Sequence, residues 1–432
     1  MTQRPELARA LGLGSAVWIG LGSMIGAGVF AAFSPAAQAA GNGLLIGLAV
    51  AAIVAFCNAA SSAQLAAVYP RAGGTYVYGR ERLGEWWGFV AGWSFVIGKT
   101  ASCAAMALTF AAYAAPAGWE RPVAVGAVIA LVAVNMFGVT RTAQATRAIV
   151  IVVLLVLAVV VAAGLSTGLP AFSDATSATG TNSFAESLIA SGPYGILQSA
   201  GLLFFAFAGY ARIATMGEEV REPATTIPRA ILLALSITVV VYAAIAVVVL
   251  GTLGPDGTAA SSAPLAATTA AAGFGWADPV VRVGAAAASL GALLGLLAGI
   301  GRTSLAMARE RDLPGWFAAV HPRFKVPYRA ELALGVAVCV LVATVDVRGA
   351  IGFSSFGVLL YYFIANLAAL TQPTEQRRYP LAVAVIGMLG CLTLVATLPL
   401  VAIAVGLGVL AIGVGYRLLS RRLSTPNASH GT

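Results

Sequence analysis

Long apolar stretches recur along the chain, and each is about as long as a helix that crosses a bilayer. A hydrocarbon core about 30 Å thick needs roughly 20 apolar residues, because a helix rises about 1.5 Å per residue. Pro, Gly and charged residues interrupt the apolar stretches, and this pattern predicts about twelve helices. The predicted helices are Leu11–Ala40, Leu44–Val68, Trp86–Tyr113, Val123–Val139, Ala148–Leu165, Pro193–Gly217, Ala230–Leu250, Pro279–Ala308, Leu332–Val345, Ile351–Leu370, Leu381–Leu398 and Val401–Leu418.

Basic residues alternate between successive loops. One set of loops is rich in arginine, whereas the opposite set contains only Arg121, Arg282 and Arg348. Because Lys and Arg in short loops stay on the cytoplasmic side, this asymmetry predicts an even number of spans with both termini in the cytoplasm. We expect a multi-pass protein of the cell membrane, surrounded by lipid bilayer. The basic positions assigned to the cytoplasm include Arg4, Arg9, Arg71, Arg80, Arg82, Arg141, Arg147, Arg221, Arg229, Arg309, Arg311, Arg323, Lys325, Arg329, Arg377, Arg378, Arg417, Arg421 and Arg422.

The composition supports a membrane protein with one domain. Of 432 residues, 59% are hydrophobic and only 9% are charged, against about 25% charged in soluble domains. The formal net charge of +9 lies mostly beside the predicted helices, so it needs no nucleic-acid partner. No charged or Pro/Ser-rich linker divides the chain, which predicts a single integral membrane domain over residues 1–432. The first apolar segment is too long for a cleaved signal peptide, so we expect it to remain in the mature protein.

Residues typical of metal sites and enzyme active sites are few. His321 and His430 occupy a loop and the tail, without nearby catalytic partners. We therefore predict no metal, no cofactor and no enzymatic activity. The four cysteines lie in apolar runs, where a thiol behaves as a small apolar side chain: Cys57, Cys103, Cys339 and Cys391.

The first predicted helix contains a glycine-rich interruption near its middle, Gly26-Ala27-Gly28. An unwound segment at the membrane midplane is tolerated only where protein or a wet cavity satisfies its backbone groups, so it indicates a binding site. A half-helix starting near Ala27 would direct free N–H groups at a carboxylate, and carbonyls of the preceding half would receive an ammonium. The alternative hypothesis is a tight packing face, since Gly22 and Gly26 have small-xxx-small spacing.

The sixth predicted helix contains a second glycine, Gly209, at a corresponding position. Paired interruptions of this kind indicate an inverted repeat, in which both broken helices meet at the centre. Phe207 and Tyr210 flank this position. They are candidates for closing over a substrate, and simple aromatic packing is the equal alternative.

Three stretches of the chain resemble the amino acid, polyamine and organocation (APC) transporter superfamily. They are Gly22–Phe30, Phe205–Tyr210 with the following Glu218–Pro223 and Ile227–Arg229, and Arg302–Pro314. The resemblance implies an all-α polytopic fold with a five-plus-five inverted repeat of the LeuT type. The repeats would cover approximately residues 11–165 and 193–370, with two extra helices at approximately 381–418. It also implies a substrate site formed by Ser23, Met24, Ile25, Gly26, Ala27, Gly28, Phe205, Ala206, Phe207, Gly209 and Leu296.

One of the two lysines in the chain, Lys99, falls inside the third predicted helix. An intramembrane lysine costs roughly 2.5–3.5 kcal/mol on translocon scales, which calls for a partner or a function. Some proton-coupled relatives carry a lysine in the fifth helix, but here that helix is apolar over Ala148–Leu155. We predict a role for Lys99 in coupling or selectivity. Snorkelling or a structural ion pair is the alternative.

Charged residues also surround the end of the sixth predicted helix. Arg212 either faces an aqueous pathway or, as we favour, pairs with Glu218 or Glu219. The charged residues of this region could form a cytoplasmic network that changes during transport, and a solvated loop is the simpler interpretation. The network would contain Glu218, Glu219, Arg221, Glu222, Arg229, Arg302 and Arg309.

These features predict a secondary transporter that works by alternating access. We expect symport or exchange of a small neutral amino acid, because the apolar Leu296 offers no cation–π surface. The preferred coupling ion is the proton, and sodium is the alternative. The competing hypotheses are a transporter of polyamines or cationic amino acids and, in a different class, a channel or membrane receptor.

Overall fold

The computed structural model of the chain describes residues 11–70, 73–138, 143–172, 184–217 and 219–424. Within these ranges the chain is almost entirely helical, and its β-type pairing is limited to one bridge between Leu11 and Val220. The predicted all-α class is therefore confirmed. Several residues discussed above lie outside the described ranges: Arg4, Arg9, Arg71, Arg141, Glu218 and His430.

The helices follow one another with short connections, and five short 3-10 turns lie between the described helices. The α-helices are α1 (Leu13–Met24), α2 (Ala27–Ala31), α3 (Phe33–Ala40), α4 (Leu44–Val68), α5 (Thr75–Leu83), α6 (Glu85–Ala114), α7 (Glu120–Met136), α8 (Ala143–Ser166), α9 (Phe184–Ile189), α10 (Gly192–Phe207), α11 (Ala211–Ala214), α12 (Pro223–Ala260), α13 (Pro264–Ala271), α14 (Asp278–Arg309), α15 (Tyr328–Thr344), α16 (Val347–Leu370), α17 (Leu381–Thr397) and α18 (Leu400–Ser424).

Nine helical stretches in the described part of the chain are long and apolar enough to cross a membrane. Large apolar side chains on their outer faces are exposed, as expected for surfaces that contact lipid. These features identify an integral membrane protein. The nine stretches are Leu13–Ala31, Phe33–Val68, Glu85–Ala114, Gln144–Ser166, Gly192–Ala214, Pro223–Ala260, Gly275–Arg309, Val347–Leu370 and Leu400–Arg422.

Three further helices correspond to the predicted fourth, ninth and eleventh spans. They are α7, α15 and α17, each 17 residues long. At about 1.5 Å per residue such a helix extends roughly 26 Å, slightly less than the thickness of a typical hydrocarbon core. The total of twelve spans therefore stays a prediction.

The seventh helix is longer at both ends than the predicted Ala230–Leu250. The observed α12 extends from Pro223 to Ala260. Its backbone leaves the helical region at Gly254, with φ 70° and ψ 172°, immediately before Pro255. Gly254 and Pro255 produce a kink there instead of an end of the helix.

The third and tenth predicted helices, α6 and α16, pack with their backbones in close approach. A Cβ atom on Gly357 would lie 2.7 Å from the Gly98 Cα atom, so neither position has room for a larger side chain. The Ser102 and Ser354 hydroxyls lie 2.6 Å apart in the same interface. Small residues allow this approach in membrane helices. Because Lys99 follows Gly98 directly, the contact fixes the height of Lys99 in the bundle.

A buried ion cluster joins the last helix to α5 and to the segment that follows α14. Arg417 on α18 pairs with Asp312, and both side chains are almost inaccessible to solvent. The Tyr76 hydroxyl donates to Asp312 over 2.9 Å, and Arg80 lies 3.5 Å from the same carboxylate. Burial raises the pKa of the Asp312 carboxyl, while the Tyr76 hydrogen bond and the charges of Arg417 and Arg80 act in the opposite direction. We call these four residues the terminal ion cluster.

Replacing Arg417 by methionine is expected to lower the apparent melting temperature of the purified protein. The substitution removes a charged partner of buried Asp312, a loss of about 1.5–3 kcal/mol, together with the contacts of the guanidinium group with the Trp86 and Phe89 rings. Arg421→Met is the control, because Arg421 is half-exposed and an exposed pair contributes about 0–1 kcal/mol. Equal melting temperatures for the two variants would contradict a stabilising role of the cluster.

Candidate substrate site at two interrupted helices

The first transmembrane helix is interrupted where the sequence indicated. Helix α1 ends at Met24, and the backbone leaves helical dihedrals at Ile25 (φ −82°, ψ 55°) and Gly26 (φ −105°, ψ −135°). Helix begins again at Ala27, and α3 follows with only Ala32 between, whose dihedrals remain helical. The first-turn amides after Gly26 have no acceptor within their own helix, and no side chain caps them.

The sixth helix is interrupted less completely. Helix α10 ends at Phe207, a 3-10 turn covers Ala208–Tyr210, and α11 begins at Ala211. The predicted break at Gly209 is therefore a tightened turn instead of an unwound segment. A 3-10 turn inside a helix frees backbone carbonyls from their usual partners and often marks a hinge or a functional position.

The two interruptions lie against each other. A Cβ atom on Gly209 would overlap the carbonyl of Ser23 and the amide of Met24, and a Cβ on Gly28 would lie 2.7 Å from the Ala206 Cα atom. Gly26 faces a third helix, since its Cβ would lie 2.8 Å from the Ala292 Cβ on α14. These contacts give the glycines a packing role, which was the alternative hypothesis. They also bring the predicted residues of both helices together, and their binding role stays a prediction.

Side chains from other helices satisfy the carbonyls freed at the interruptions. The Tyr242 hydroxyl on α12 lies 2.6 Å from the Met24 carbonyl oxygen and 3.1 Å from that of Ala206. The Tyr362 hydroxyl on α16 donates to the Ala208 carbonyl over 3.3 Å. Sequence reasoning missed both tyrosines. The available signal was a phenol inside an apolar helix, because a buried phenol usually finds a hydrogen-bond partner.

Lys99 also contacts the turn of the sixth helix. Its Nζ atom donates to the Ala208 carbonyl over 3.2 Å, and the side chain is 7% exposed. Within the described ranges Lys99 forms no ion pair. A cation at the carbonyl end of a helix is stabilised by the helix dipole, which partly offsets its burial. The structure therefore provides Lys99 with a local structural partner at the candidate site.

The predicted gating aromatics contact different partners. The Phe207 ring lies 5.0 Å from that of Tyr242, and the Tyr210 ring stacks on Tyr362 at 4.8 Å between centroids. Both side chains are fully buried. Phe205 and Leu296 instead belong to a separate apolar cluster beside the interruptions. The cluster that contains them includes Ala31, Cys103, Leu202, Leu293 and Leu297.

The charged residues near the end of the sixth helix are only partly brought together. Arg212 lies within electrostatic range of Glu219 and Arg302. Its other predicted partner, Glu218, lies outside the described residues. The ion pairs of the described chain join different residues, above all those of the terminal ion cluster and Glu85, Glu310 and Arg421. The predicted network through Arg229 and Arg309 therefore stays a prediction.

Comparison with known proteins agrees with this architecture. The family described as amino acid permease matches residues 11–415. An uncharacterized transporter of Mycobacterium tuberculosis is 58% identical over 421 residues, which cover 96% of this chain and 93% of the relative. The branched-chain amino acid permease BcaP of Bacillus subtilis is 26% identical, with 98% and 95% of the two chains covered. The chloroplastic cationic amino acid transporter 7 of Arabidopsis thaliana is 27% identical over 84% of this chain and 65% of its own length.

These similarities extend over nearly the whole chain and include both interrupted helices. They indicate a transporter and not an enzyme. The chain therefore belongs to the amino acid permease family of the APC superfamily, and its function is amino acid transport across a membrane.

Proposed function

We propose that the protein is a secondary active transporter of small neutral aliphatic amino acids, driven by the proton gradient across the cell membrane. The observation that carries the proposal is the direct contact between the two interrupted helices at Gly209 and Ser23-Met24. Substrate would bind between these interruptions, and its exchange between the two sides of the membrane would require them to separate and close again.

The backbone at the two interruptions supports recognition of the charged groups shared by all amino acids. The uncapped first turn after Gly26 offers N–H groups and a positive dipole end to the carboxylate. The carbonyl of Met24 would accept the ammonium, in exchange for the hydrogen bond that Tyr242 now provides. These contacts set the class of solute and leave the choice of side chain to neighbouring residues.

Two features favour a neutral aliphatic side chain. The Lys99 ammonium stands at the interruption of the sixth helix, where it would repel a cationic substrate. The apolar cluster with Phe205 and Leu296 lies beside the same site and suits an aliphatic group. The printed name of the Bacillus relative, a branched-chain amino acid permease, agrees with this choice. The Arabidopsis relatives named cationic amino acid transporters keep cationic substrates as the competing candidates.

The topology that we propose has twelve spans, with a five-plus-five inverted repeat and two additional helices. The two interrupted helices support it, since they are the first and the sixth predicted spans and odd-numbered halves invert one another. Both termini would lie in the cytoplasm, on the side where arginine is abundant. Helices α17 and α18 would be the two additions to the repeat.

The proposal predicts uptake of L-leucine, L-isoleucine and L-valine into proteoliposomes that contain the purified protein. We expect accumulation under an imposed inward proton gradient, and none under a sodium gradient at equal pH. L-Lysine, L-arginine and putrescine should neither accumulate nor compete. Accumulation of the cationic solutes in place of L-leucine would overturn the neutral substrate class.

Counterflow separates a transporter from a channel or a receptor. Proteoliposomes loaded with unlabelled L-leucine should transiently concentrate external labelled L-leucine, because alternating access exchanges one molecule for another. A channel lets the label only equilibrate, and a receptor moves none. Absence of counterflow for every amino acid of the panel would contradict the transport mechanism.

A further inference from the structure

Glu331 is a carboxyl group buried among helices without a partner for its charge. It occupies the first turn of α15 and is 3% exposed. Its Oε2 atom has no hydrogen-bond partner, and no ion pair of Glu331 occurs in the described part of the chain. The side chain packs on α14 at Gly301, where an added Cβ would lie 3.0 Å from the Glu331 Cγ atom. A residue without a side chain thus creates the space that the carboxyl occupies.

This environment favours the neutral acid over the carboxylate. An ionised carboxylate with a buried oxygen that accepts no hydrogen bond, as Oε2 of Glu331, loses far more solvation energy than its neutral form. A position in the first turn of a helix offers only about 0.3–1 kcal/mol to a negative charge. In the observed conformation, protonation of Glu331 therefore removes the large solvation penalty of a buried carboxylate.

A chain of charges connects Glu331 to the interruption of the sixth helix. Arg302 follows Gly301 on α14 and lies within electrostatic range of Glu331 without forming an ion pair with it. Arg302 is also within electrostatic range of Arg212, which lies three residues beyond Gly209. A shift of α11 during transport would therefore change the repulsion between Arg212 and Arg302, and with it the position of Arg302 relative to Glu331.

Other charged groups near α15 are engaged elsewhere or lie at other positions of the helices packed against it. On α6, Glu85 pairs with Arg421, and Lys99 contacts Ala208. At the far end of α15, Arg121 of α7 donates to the Ala343 carbonyl. Within the described ranges, the remaining charged or titratable groups on α6, α7, α14 and α15 are Cys103, Tyr113, Glu120, Asp278, Arg282, Arg309, Tyr328, Arg329 and Cys339.

We propose that Glu331 is the proton-binding site that couples transport to the proton gradient. The inference rests on the proposed function and deepens it. In the conformation observed here, one proton that has entered from the opposite side of the membrane binds the Glu331 carboxyl. It passes to cytoplasmic water, on the side where the basic loop before α15 is proposed to lie, when the separation of the interrupted helices brings Arg302 into an ion pair with the carboxylate. The proton is the ligand of the site, and no other reactant is needed.

The test compares Glu331→Gln with the wild type in proteoliposomes containing the full-length protein and labelled L-leucine. Glutamine mimics the protonated acid, so counterflow should persist within about twofold. Accumulation under a one-unit pH gradient, which one coupled proton limits to about tenfold, should disappear. Glu375→Gln, which removes an exposed carboxylate from a loop, should retain both activities.

An infrared titration supplies a measurement that does not depend on transport. The wild type should show a band of protonated carboxyl that disappears as pH rises, and Glu331→Gln should lack that band while Glu375→Gln retains it. Where Glu331→Gln is not recovered as folded protein, Arg302→Gln serves instead, because Arg302 is exposed. The pH dependence of accumulation by Arg302→Gln should shift to higher pH, since the Glu331 carboxylate loses a neighbouring cation.

The possible results have distinct meanings. Proton-driven accumulation by Glu331→Gln at the wild-type level, or an unchanged pH profile for Arg302→Gln, overturns the assignment of Glu331. Counterflow without proton-driven accumulation in the wild type also overturns it and leaves amino acid transport intact. Absence of counterflow in the wild type instead refutes the proposed function on which the assignment rests.

Discussion

Replacing Gly209 by alanine is expected to abolish amino acid uptake, although it adds a single methyl group. The new Cβ atom would overlap the backbone of Ser23 and Met24, which cannot move aside as a flexible side chain can. Overpacking a close-packed site costs about 1–3 kcal/mol or more. A cost of about 3 kcal/mol would reduce the population of the closed conformation by more than about hundredfold. Uptake of labelled L-leucine per molecule of reconstituted protein measures the loss.

Gly299→Ala is the matched control for this prediction. Gly299 lies within α14, and a Cβ atom there would meet no other atom within 4 Å. Alanine is a better helix former than glycine by about 1 kcal/mol, so this variant should retain uptake and thermal stability. If Gly209→Ala transports as well as Gly299→Ala, then the closed contact between the two interruptions is not part of the transport cycle.

The sequence predicts the helical class because long apolar stretches leave few alternatives in a bilayer. Backbone groups in lipid must be paired internally, which favours helices wherever about 20 apolar residues follow one another. The same argument is weaker at the ends of helices. Residues Pro223–Arg229 carry polar side chains and two prolines, and they nevertheless form the first turns of α12.

The interruptions could be located from glycine, but their geometry and contacts could not. Gly26 and Gly209 indicate a local weakness of the helix in the same way, yet one marks a break and the other a 3-10 turn. The sequence also does not indicate which backbone a glycine approaches. That partner depends on the packing of helices nearly two hundred residues apart, as with Gly209 and Ser23.

Buried charges are the features that sequence reasoning assigned least well. The sequence groups Arg417 with the basic residues predicted to flank helices on the cytoplasmic side, and it gives no sign that Arg417 is 2% exposed and paired with Asp312. Glu331 attracted no hypothesis because it lies six residues after Lys325 and two after Arg329, in a segment that resembles an ordinary polar loop. The sequence shows where charged residues lie along the chain. Whether a charged side chain is buried depends on which helices pack over it. Only the fold distinguishes a flanking arginine from a buried one.

Replacing Lys99 by methionine is expected to admit cationic amino acids to the site. Methionine keeps much of the length of the side chain and removes the charge that contacts the Ala208 carbonyl. Two like charges about 8 Å apart at an effective dielectric constant of 20 repel by about 2 kcal/mol. Competition of L-lysine against labelled L-leucine uptake should therefore strengthen by tenfold or more.

Lys325→Met provides the control, because Lys325 is the other lysine of the chain and is exposed in a loop. It removes the same charge without touching the site, and it should leave competition by L-lysine unchanged. Unaltered rejection of L-lysine by Lys99→Met would return Lys99 to a structural role as a cap on the sixth helix. Loss of proton-driven accumulation in Lys99→Met, with normal accumulation in Glu331→Gln, would move the coupling site from α15 to α6. Lys99→Met and Glu331→Gln together therefore separate selection of the substrate from binding of the proton. Each of these two variants removes one ionisable group and preserves the approximate size of the side chain.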